Sequence, residues 1–356
     1  MIIPSIDLMS GRAVQLRQGR EHVLTSDEDP IELAKRFNRY GPVAVIDLDA
    51  AMGTGDNLDL MQQICRVADV RAGGGIRTVE RGMALLKAGA QSIIIGTAAT
   101  PEFRGMQGLS MDAACELKRQ LSLPVTFAGG VATTEEAVRL ARAGLDVQVG
   151  MALYTGQLDL TQSVIDALDF KKMNGLIPTI VQDDVSSQVL MLAYSSPESL
   201  RHALEHGVGA YWSRSRNELW VKGATSGHAQ ELVSCRSDCD RDTLLFRIRQ
   251  SGPACHTGSY SCFGPHQFTL DGLFENLQQT VADGRSGSYT RKLVQGRFLS
   301  IKKLLEEAVE VIFARGFDHT RWEAADVIYH LMPILIRRRV DWKDVVRELS
   351  ARQRRK

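Results

Sequence analysis

The sequence predicts a multidomain protein: an N-terminal α/β domain over residues 1–170, a central β-rich α+β domain over 171–266 and a C-terminal all-α domain over 267–356. Three observations carry this. The chain has 356 residues, more than one hydrophobic core usually organises. Short β-branched runs alternate with amphipathic segments through the first part of the chain, and this rhythm stops near Phe170–Gly175. After GPHQFTLDG the apolar spacing is helical to the end.

Composition excludes several classes. Charged residues at 24%, hydrophobic residues at 44% and a net charge of +1 leave no broad electrostatic footprint for nucleic acid. No apolar run has the length of a membrane span. MIIPSIDL enters a strand pattern directly, so neither a signal nor a transit peptide is expected, and the expected location is the cytoplasm. In a reducing compartment clustered cysteines are more often metal-binding or catalytic than bridged.

Six strands are expected in the first domain: IIPSIDL, VAVIDLD, DVRAGGGI, SIIIGT, PVTFAGGV and VQVGMAL. Amphipathic segments such as PIELAKRFNRYG separate them, the pattern of βα units on a parallel sheet. Glycines cluster at strand ends: Gly73, Gly74 and Gly75, then Gly96 with Thr97, then Gly129 and Gly130 ahead of Thr133 and Glu136 at capping-box spacing. Backbone N–H groups at such helix starts suit phosphate, and tight strand-to-helix turns are the alternative reading.

IPSIDLMSGRAVQLRQG, VAVIDLDAAMGTGDN, VRAGGGIRTVERGMALLKAGAQSIIIGTAA and LPVTFAGGVATTEEAVRLARAG resemble the ProFAR isomerase of histidine biosynthesis, a (βα)₈ barrel acting on a substrate with two phosphates. The resemblance implies a shortened barrel-like domain, because nothing here matches strands five and six. It places Asp7 where the family has its first catalytic aspartate, and the second has no counterpart. The implied state is an inactive isomerase with a vestigial phosphate site at Asp7, Gly73, Gly74, Gly75, Gly96, Thr97, Gly129 and Gly130. The alternatives are a retained isomerase, making the chain trifunctional, and a phosphate-ligand sensor.

In the central domain six strand-like runs from LIPTIVQD to TLLFRIRQ surround one helix, SPESLRHALEHG. Three of the six cysteines fall at Cys239, Cys255 and Cys262. Three thiolates leave a tetrahedral zinc position open for water, whose pKa falls from 15.7 to about 7. Asp238, Asp240 and Asp242 offer oxygen ligands to Mg²⁺, and on an extended strand they would share one face. Buried small side chains and a solvated turn are the alternatives. Arg214 and Arg216 suit phosphate or are ordinary strand-surface charge. Trp212 and Trp220 read as core, and Cys65, Cys115 and Cys235 as structural.

GLIPTIVQD, VLMLAYSSPESL, YWSRSRNELWVKGATSGHAQ and SDCDRDTLLFRIRQSGPACHTGSYSCF resemble phosphoribosyl-AMP cyclohydrolase. That resemblance implies Zn²⁺ on Cys239, Cys255 and Cys262, contributed by two subunits of a homodimer. It implies Mg²⁺ on Asp238, Asp240 and Asp242, and proton transfer by His256. Ser213, Arg214, Ser215, Arg216, Lys222, Thr225 and Ser226 would bracket phosphate and ribose while the adenine ring of phosphoribosyl-AMP is opened.

In the C-terminal domain Glu306 and Glu310 are four apart, Glu307 is three from Glu310, and Glu323 and Asp326 are three apart. Antiparallel pairing of those helices would crowd carboxylates, an arrangement a divalent ion relieves. Solvated helix faces are the alternative. SYTRKLVQG, IKKLLEEAVEVIFA and WEAADVIYHLM resemble phosphoribosyl-ATP pyrophosphohydrolase. The likeness implies Mg²⁺ on Glu306, Glu307, Glu310, Glu323 and Asp326, with Glu307 and Glu310 also catalytic. Lys302, Lys303, Ser288, Tyr289, Thr290 and Arg291 would lie near the substrate. Leu305 departs from the glycine common at its position. The whole reads as two consecutive hydrolases acting on phosphoribosyl-ATP and then phosphoribosyl-AMP, with no nucleic-acid or membrane partner.

Overall fold

A computed structural model describes residues 1–17, 21–94, 126–284 and 287–353. The chain forms two compact units, Met1–His266 and Gln267–Lys356.

The first unit begins with β1 (Ile2–Met9), β2 (Arg12–Arg17), β3 (Glu21–Thr25), α1 (Pro30–Asn38), β4 (Val43–Asp47), α2 (Leu48–Met52) and α3 (Leu58–Val67). It continues through β5 (Val70–Gly73), α4 (Val79–Lys87), β6 (Ser92–Ile94), β7 (Thr126–Ala128), α5 (Thr134–Arg142), β8 (Asp146–Val149), α6 (Met151–Tyr154) and α7 (Leu160–Ala167). The parallel strands run in the order β6-β5-β4-β1-β8-β7. The antiparallel hairpin β2–β3 is additional to the six expected strands. Ser10 and Gly11, both at positive φ, reverse the chain after β1 and pair Asp7 with Val14.

Ile3, Ile6, Leu8, Val43 and Val45 are fully buried, as the apolar runs of a doubly covered parallel strand require. The sheet curls. Arg71 Nη1 on β5 reaches Thr126 Oγ1 of β7 at 3.3 Å and Asp146 Oδ2 of β8 at 2.8 Å. Gly96, Thr97 and Cys115 lie outside the described residues.

The same unit then builds β9 (Ile177–Asp183), β10 (Val189–Ser195), α8 (Pro197–His206), β11 (Ala210–Ser213), β12 (Glu218–Val221), β13 (Gln230–Ser237) and β14 (Leu244–Gln250). Four strands form a sheet ordered β10-β9-β14-β13, and β11–β12 is a separate hairpin. Helix α8 starts on the Ser196 cap with Pro197 in its first turn and stops at Gly207, φ +68°. Leu200, Ala203 and Leu204 on its inner face join Tyr211 and Phe246 in a second core.

The two sheets meet through loops that lead into the strands of the first. Asn38 Nδ2 donates to Val233 O at 3.1 Å, and Cys235 N donates to Arg39 O at 2.9 Å. These bonds cover β13, an edge strand whose free groups would otherwise invite pairing. Asp69, just before β5, pairs with Arg236 and with Arg247 Nη1 at 2.9 Å, while Arg247 Nη2 meets Asp184, whose side chain is almost inaccessible to solvent, at 2.5 Å. Beside β8, Arg241 Nη1 donates to Ala141 O at 2.8 Å.

The second unit is helical: α9 (Leu270–Ala282), α10 (Tyr289–Gln295), α11 (Arg297–Phe313), α12 (Phe317–Arg338) and α13 (Trp342–Gln353). Its buried apolar core is small: Phe274, Leu277, Met332 and Trp342 cluster together, and Leu293 and Ile334 are also buried. The helical pattern from Ser288 onward divides into two helices at Gly296, whose φ −90° and ψ 88° interrupt the helical ladder. Helices α11 and α12 pack side by side across the Ala314–Gly316 connection. Phe298 at 88%, Ile312 at 74% and Trp322 at 69% remain exposed, along with Leu305, Phe313 and Phe317. No described helix is long and apolar enough to cross a membrane.

Removing a partner from a half-buried ion network strands the opposite charges. Asp69→Ala is expected to destabilise the first unit by about 2–4 kcal/mol, read by urea unfolding. An unchanged midpoint would show that the two layers do not depend on this contact.

Candidate active sites

Cys255 and Cys262 lie on the loop after β14. That loop is pinned to β10 by Cys262 N donating to Leu190 O at 2.8 Å and Ser261 Oγ donating to Val189 O at 2.7 Å. Thr257 Oγ1 donates to Cys255 Sγ at 3.1 Å, and His256 Nδ1 is 3.9 Å from that sulfur. The Thr257 contacts hold the Cys255 thiol below its ordinary pKa, whereas burial and the neighbouring Cys255 raise that of Cys262. The first proton to leave this pair is therefore the one on Cys255.

Lys222 faces both sulfurs, and its Nζ donates to Ala254 O at 2.7 Å; partial burial lowers its pKa. Cys239 is elsewhere, exposed on the bend after β13. Among the described residues no cluster of three metal-ligating side chains includes a cysteine, so a single chain does not bring the three together. Cys65 and Cys235 are buried, and burial pushes the Cys235 thiol up to about 12, where it is inert.

The acidic triplet is not on an extended strand. β13 ends at Ser237, and Asp238–Asp242 form a bend with Arg241 at φ +65°. Asp238 Oδ1 accepts from Asp242 N at 3.1 Å and Thr243 N at 3.2 Å. The bend achieves what strand alternation would have, since one oxygen from each of Asp238, Asp240 and Asp242 lies within 4.8 Å of the others. Lys172, which carries no sequence signal of its own, inserts its ammonium between Asp240 and Asp242.

Arg214, Ser215 and Arg216 form the exposed β11–β12 turn, beside Ser213. The Arg214 guanidinium stacks 3.8 Å over the Tyr194 ring, and Arg216 Nε bonds Ser213 Oγ at 3.2 Å. Thr225 and Ser226 are exposed on the turn after Lys222. Trp212 and Trp220 are half-buried, Trp220 tilted against Tyr211 at 5.7 Å.

In the second unit Glu307 of α11 and Glu323 and Asp326 of α12 converge, with one oxygen from each within 4.8 Å of the others. Glu307 and Glu323 are buried. Desolvation, then Glu310 and Glu307, raise the Glu323 pKa. Such crowding fits an absent hard cation. Glu306 stands apart, paired with Lys303 Nζ at 2.9 Å and Lys302 Nζ at 3.4 Å.

Two histidines that sequence reading passed over flank the carboxylates. His319 Nε2 is 3.2 Å from Glu323 Oε1. Buried His330 donates from Nδ1 to Asp326 O at 2.9 Å, because a carbonyl only accepts. Its Nε2 is thereby left to accept from Tyr289 OH at 3.2 Å. Their signal was the four-residue spacing from Glu323 and Asp326. Ser288 caps α10 by accepting from Arg291 N, and Thr290 bonds Tyr329 OH at 3.0 Å.

At the strand ends of the first sheet, Ser5 Oγ donates to Asp7 Oδ1 at 3.2 Å and Tyr154 OH donates to Ser5 O at 3.2 Å. Burial raises the Asp7 carboxyl to about 6. The glycine clusters differ in cause. A Cβ on Gly74 would sit 2.1 Å from Asp47 O, and one on Gly75 2.5 Å from Ala50 O, so close backbone packing requires both. A Cβ on Gly129 or Gly130 would meet nothing within 4 Å among the described residues. At the start of α5, Glu136 Oε2 already accepts from Ala132 N at 2.9 Å and Thr133 N at 3.2 Å.

Comparison with known proteins follows the same division. Residues 1–104 match a family model of histidine biosynthesis proteins, 191–264 one of phosphoribosyl-AMP cyclohydrolase, and 270–353 one of phosphoribosyl-ATP pyrophosphohydrolase. The histidine biosynthesis bifunctional protein HisIE of Bacillus subtilis is 42% identical over 200 residues, covering 52% of this chain and 95% of the relative. HisIE of Pyrococcus furiosus is 37% identical over 208 residues, 54% of this chain and 99% of the relative. The histidine biosynthesis trifunctional protein of Kluyveromyces lactis is 41% identical over 194 residues, 54% of this chain but 24% of that protein.

The glycine geometry predicts that Gly74→Ala costs more than about 3 kcal/mol, from backbone collision added to positive φ, whereas Gly129→Ala costs about 1 kcal/mol. Urea denaturation of both variants checks the contrast, and equal effects would refute it. Asp7 titrates from its ordinary 3.8 to about 6 on folding. The folded chain thus binds the proton more tightly, and the stability this gives is complete below pH 4 and lost as pH rises through 6. Asp7→Asn should therefore stabilise the protein at pH 7.5, by at most about 3 kcal/mol, with the gain vanishing near pH 4. Thermal unfolding across that range decides it.

Proposed function

The chain belongs to the family of histidine biosynthesis bifunctional proteins HisIE, and from that premise we propose how its residues divide the work. It is a fused enzyme with phosphoribosyl-ATP pyrophosphohydrolase and phosphoribosyl-AMP cyclohydrolase activities. We assign the first step to residues 267–356 and the second to 171–266.

The convergence of Glu307, Glu323 and Asp326 is the observation that carries the first assignment. These carboxylates, with Glu310 beside Glu323, would hold Mg²⁺, which supplies positive charge to the phosphates of phosphoribosyl-ATP. Glu307 and Glu310 position the attacking water. His330, fixed by the Asp326 carbonyl and Tyr289, orients the carboxylates from behind. Lys302, Lys303 and Arg291 supply cations near the triphosphate, with Ser288 and Thr290 at its edge. Glu306, neutralised by the two lysines, sits at the rim of that site.

For ring opening, Cys255 and Cys262 would be two ligands of a zinc ion whose bound water is the nucleophile source. Cys239 of a second copy would be the third, which accounts for its separation from the pair within one chain. His256, next to Cys255, is the proton-transfer group. Arg214, Arg216, Ser213, Ser215, Lys222, Thr225 and Ser226 bind the phosphoribosyl part. Asp238, Asp240 and Asp242 bind Mg²⁺. The protein acts as a homodimer in the cytoplasm, a reading also supported by the exposed apolar stripe of α11.

Residues 1–170 are read as a shortened barrel lacking strands five and six, without isomerase activity, since one aspartate of the pair has no counterpart. The packing demands on Gly74 and Gly75, and the self-capped start of α5, favour a structural remnant over a phosphate sensor.

A mass-resolved time course with phosphoribosyl-ATP, Mg²⁺ and Zn²⁺ tests the scheme. Pyrophosphate and ProFAR should accumulate without the isomer of ProFAR. Cys255→Ser should stop at phosphoribosyl-AMP, and Glu307→Gln should lose pyrophosphate release about 10²-fold or more while still opening added phosphoribosyl-AMP. Appearance of the isomer would overturn the account of the N-terminal domain. Two active variants would overturn the site assignments.

A further inference from the structure

The bend that carries Asp238, Asp240 and Asp242 is gripped from outside its own sheet. Asp169 N donates to Arg241 O at 2.9 Å, and the Arg241 side chain donates to Ala141 O at 2.8 Å, so the apex is tied to α5 and to the segment after α7. That segment turns tightly. Lys172 N bonds Asp169 Oδ1 at 3.1 Å, Gly175 N bonds Phe170 O at 2.7 Å, and Asn174 and Gly175 both have positive φ. The turn delivers the Lys172 ammonium to Asp240 Oδ2 at 2.5 Å and to Asp242 Oδ2. No other cation is paired with either carboxylate among the described residues, and Asp238 spends Oδ1 on the amides of Asp242 and Thr243.

We propose that Lys172 is a tethered counter-cation of this acidic bend, holding Asp240 and Asp242 together in the metal-free chain and leaving when a divalent ion binds. The proposal rests on the reading of the bend as a Mg²⁺ site. An ammonium in hydrogen-bond contact with both carboxylates takes the lone pairs that a small, octahedral cation needs. The two cations also repel at such range, so both do not occupy the bend. Lys172 thereby sets a threshold for the ion. It keeps Asp240 and Asp242 together without metal, and its displacement weakens metal affinity by the worth of the contact it loses. Because the pair is solvent-exposed, that worth is modest, about two- to tenfold in affinity.

Binding of Mn²⁺ alone, followed by electron paramagnetic resonance of the free ion, tests this on the full chain. Glu307→Gln and Glu323→Gln are included throughout to silence the C-terminal cluster. Lys172→Met should bind Mn²⁺ about two- to tenfold tighter, Lys172→Arg should stay near the parent, and Asp240→Asn should lose the site. Unchanged or weaker binding in Lys172→Met overturns the counter-cation while leaving the metal site in place. Absence of Asp240-dependent binding in every variant overturns the metal site and the proposal with it. A second readout needs no substitution. Adding Mg²⁺ to the parent should raise acetylation of the Lys172 amine, measured on its peptide by mass spectrometry, and unchanged or lower labelling overturns the proposal.

Discussion

The first unit depends on the ion network at Asp69. That carboxylate sits at the entry to β5, and the arginines it meets, Arg236 and Arg247, stand on β13 and β14 of the other sheet. Arg247 is shared with Asp184, whose side chain is nearly inaccessible to solvent. Half-buried charges of this kind are tolerable only while all their partners are present. The network therefore fixes the layers in one register, and the bonds from the Asn38 side chain and the Cys235 backbone amide close the β13 edge on the same side.

The N-terminal domain therefore uses its strand-start side for docking. Asp69, Arg39 and Ala141 all precede strands, whereas Asp7, Gly74 and Gly129 follow or end them. In βα architectures the strand-start side serves stability and the strand-end side serves chemistry. Docking therefore makes no demand on the strand-end side of this domain, where Asp7, Gly74 and Gly129 stand. The same docking puts α5 and the segment after α7 against the acidic bend. The N-terminal domain in this way shapes the segment that carries Asp238, Asp240 and Asp242.

Legibility in the sequence followed the physics of each element. The βα alternation and the six parallel strands were plain, because buried parallel strands read as apolar runs. The β2–β3 hairpin was not, since Arg12–Arg17 alternates weakly and its reversal rests on Ser10 and Gly11. The helix break at Gly296 was hidden by continuous helical periodicity on both sides. Among site residues the carboxylates of α11 and α12 were legible from their three- and four-residue spacing, and the cysteines from their rarity. Lys172 was not, because its role comes from what folding puts beside it, whereas His319 and His330 were passed over although their four-residue spacing from Glu323 and Asp326 was there to read. Lys172 meets carboxylates nearly seventy positions away. The convergence of the three aspartates was expected by the wrong route, alternation along a strand, where a bend stabilised by Asp238 and the left-handed Arg241 does the same work.

The second unit poses a different balance. Ninety residues bury only a fraction of the surface that larger domains do, and here the main buried apolar cluster lies on α9, α12 and α13, with Leu293 of α10 also buried. Helix α11 contributes buried Glu307 and Ser300 to the interior while Phe298, Leu305, Ile312 and Phe313 face outward. Its amphipathicity is thus inverted relative to an ordinary surface helix. That inversion accompanies the convergence of Glu307 with Glu323 and Asp326 of α12, while Glu310 on the same helix stays exposed. An apolar stripe of this extent is costly in water, so a helix that buries Glu307 and exposes its apolar side chains is stabilised further when something covers its back.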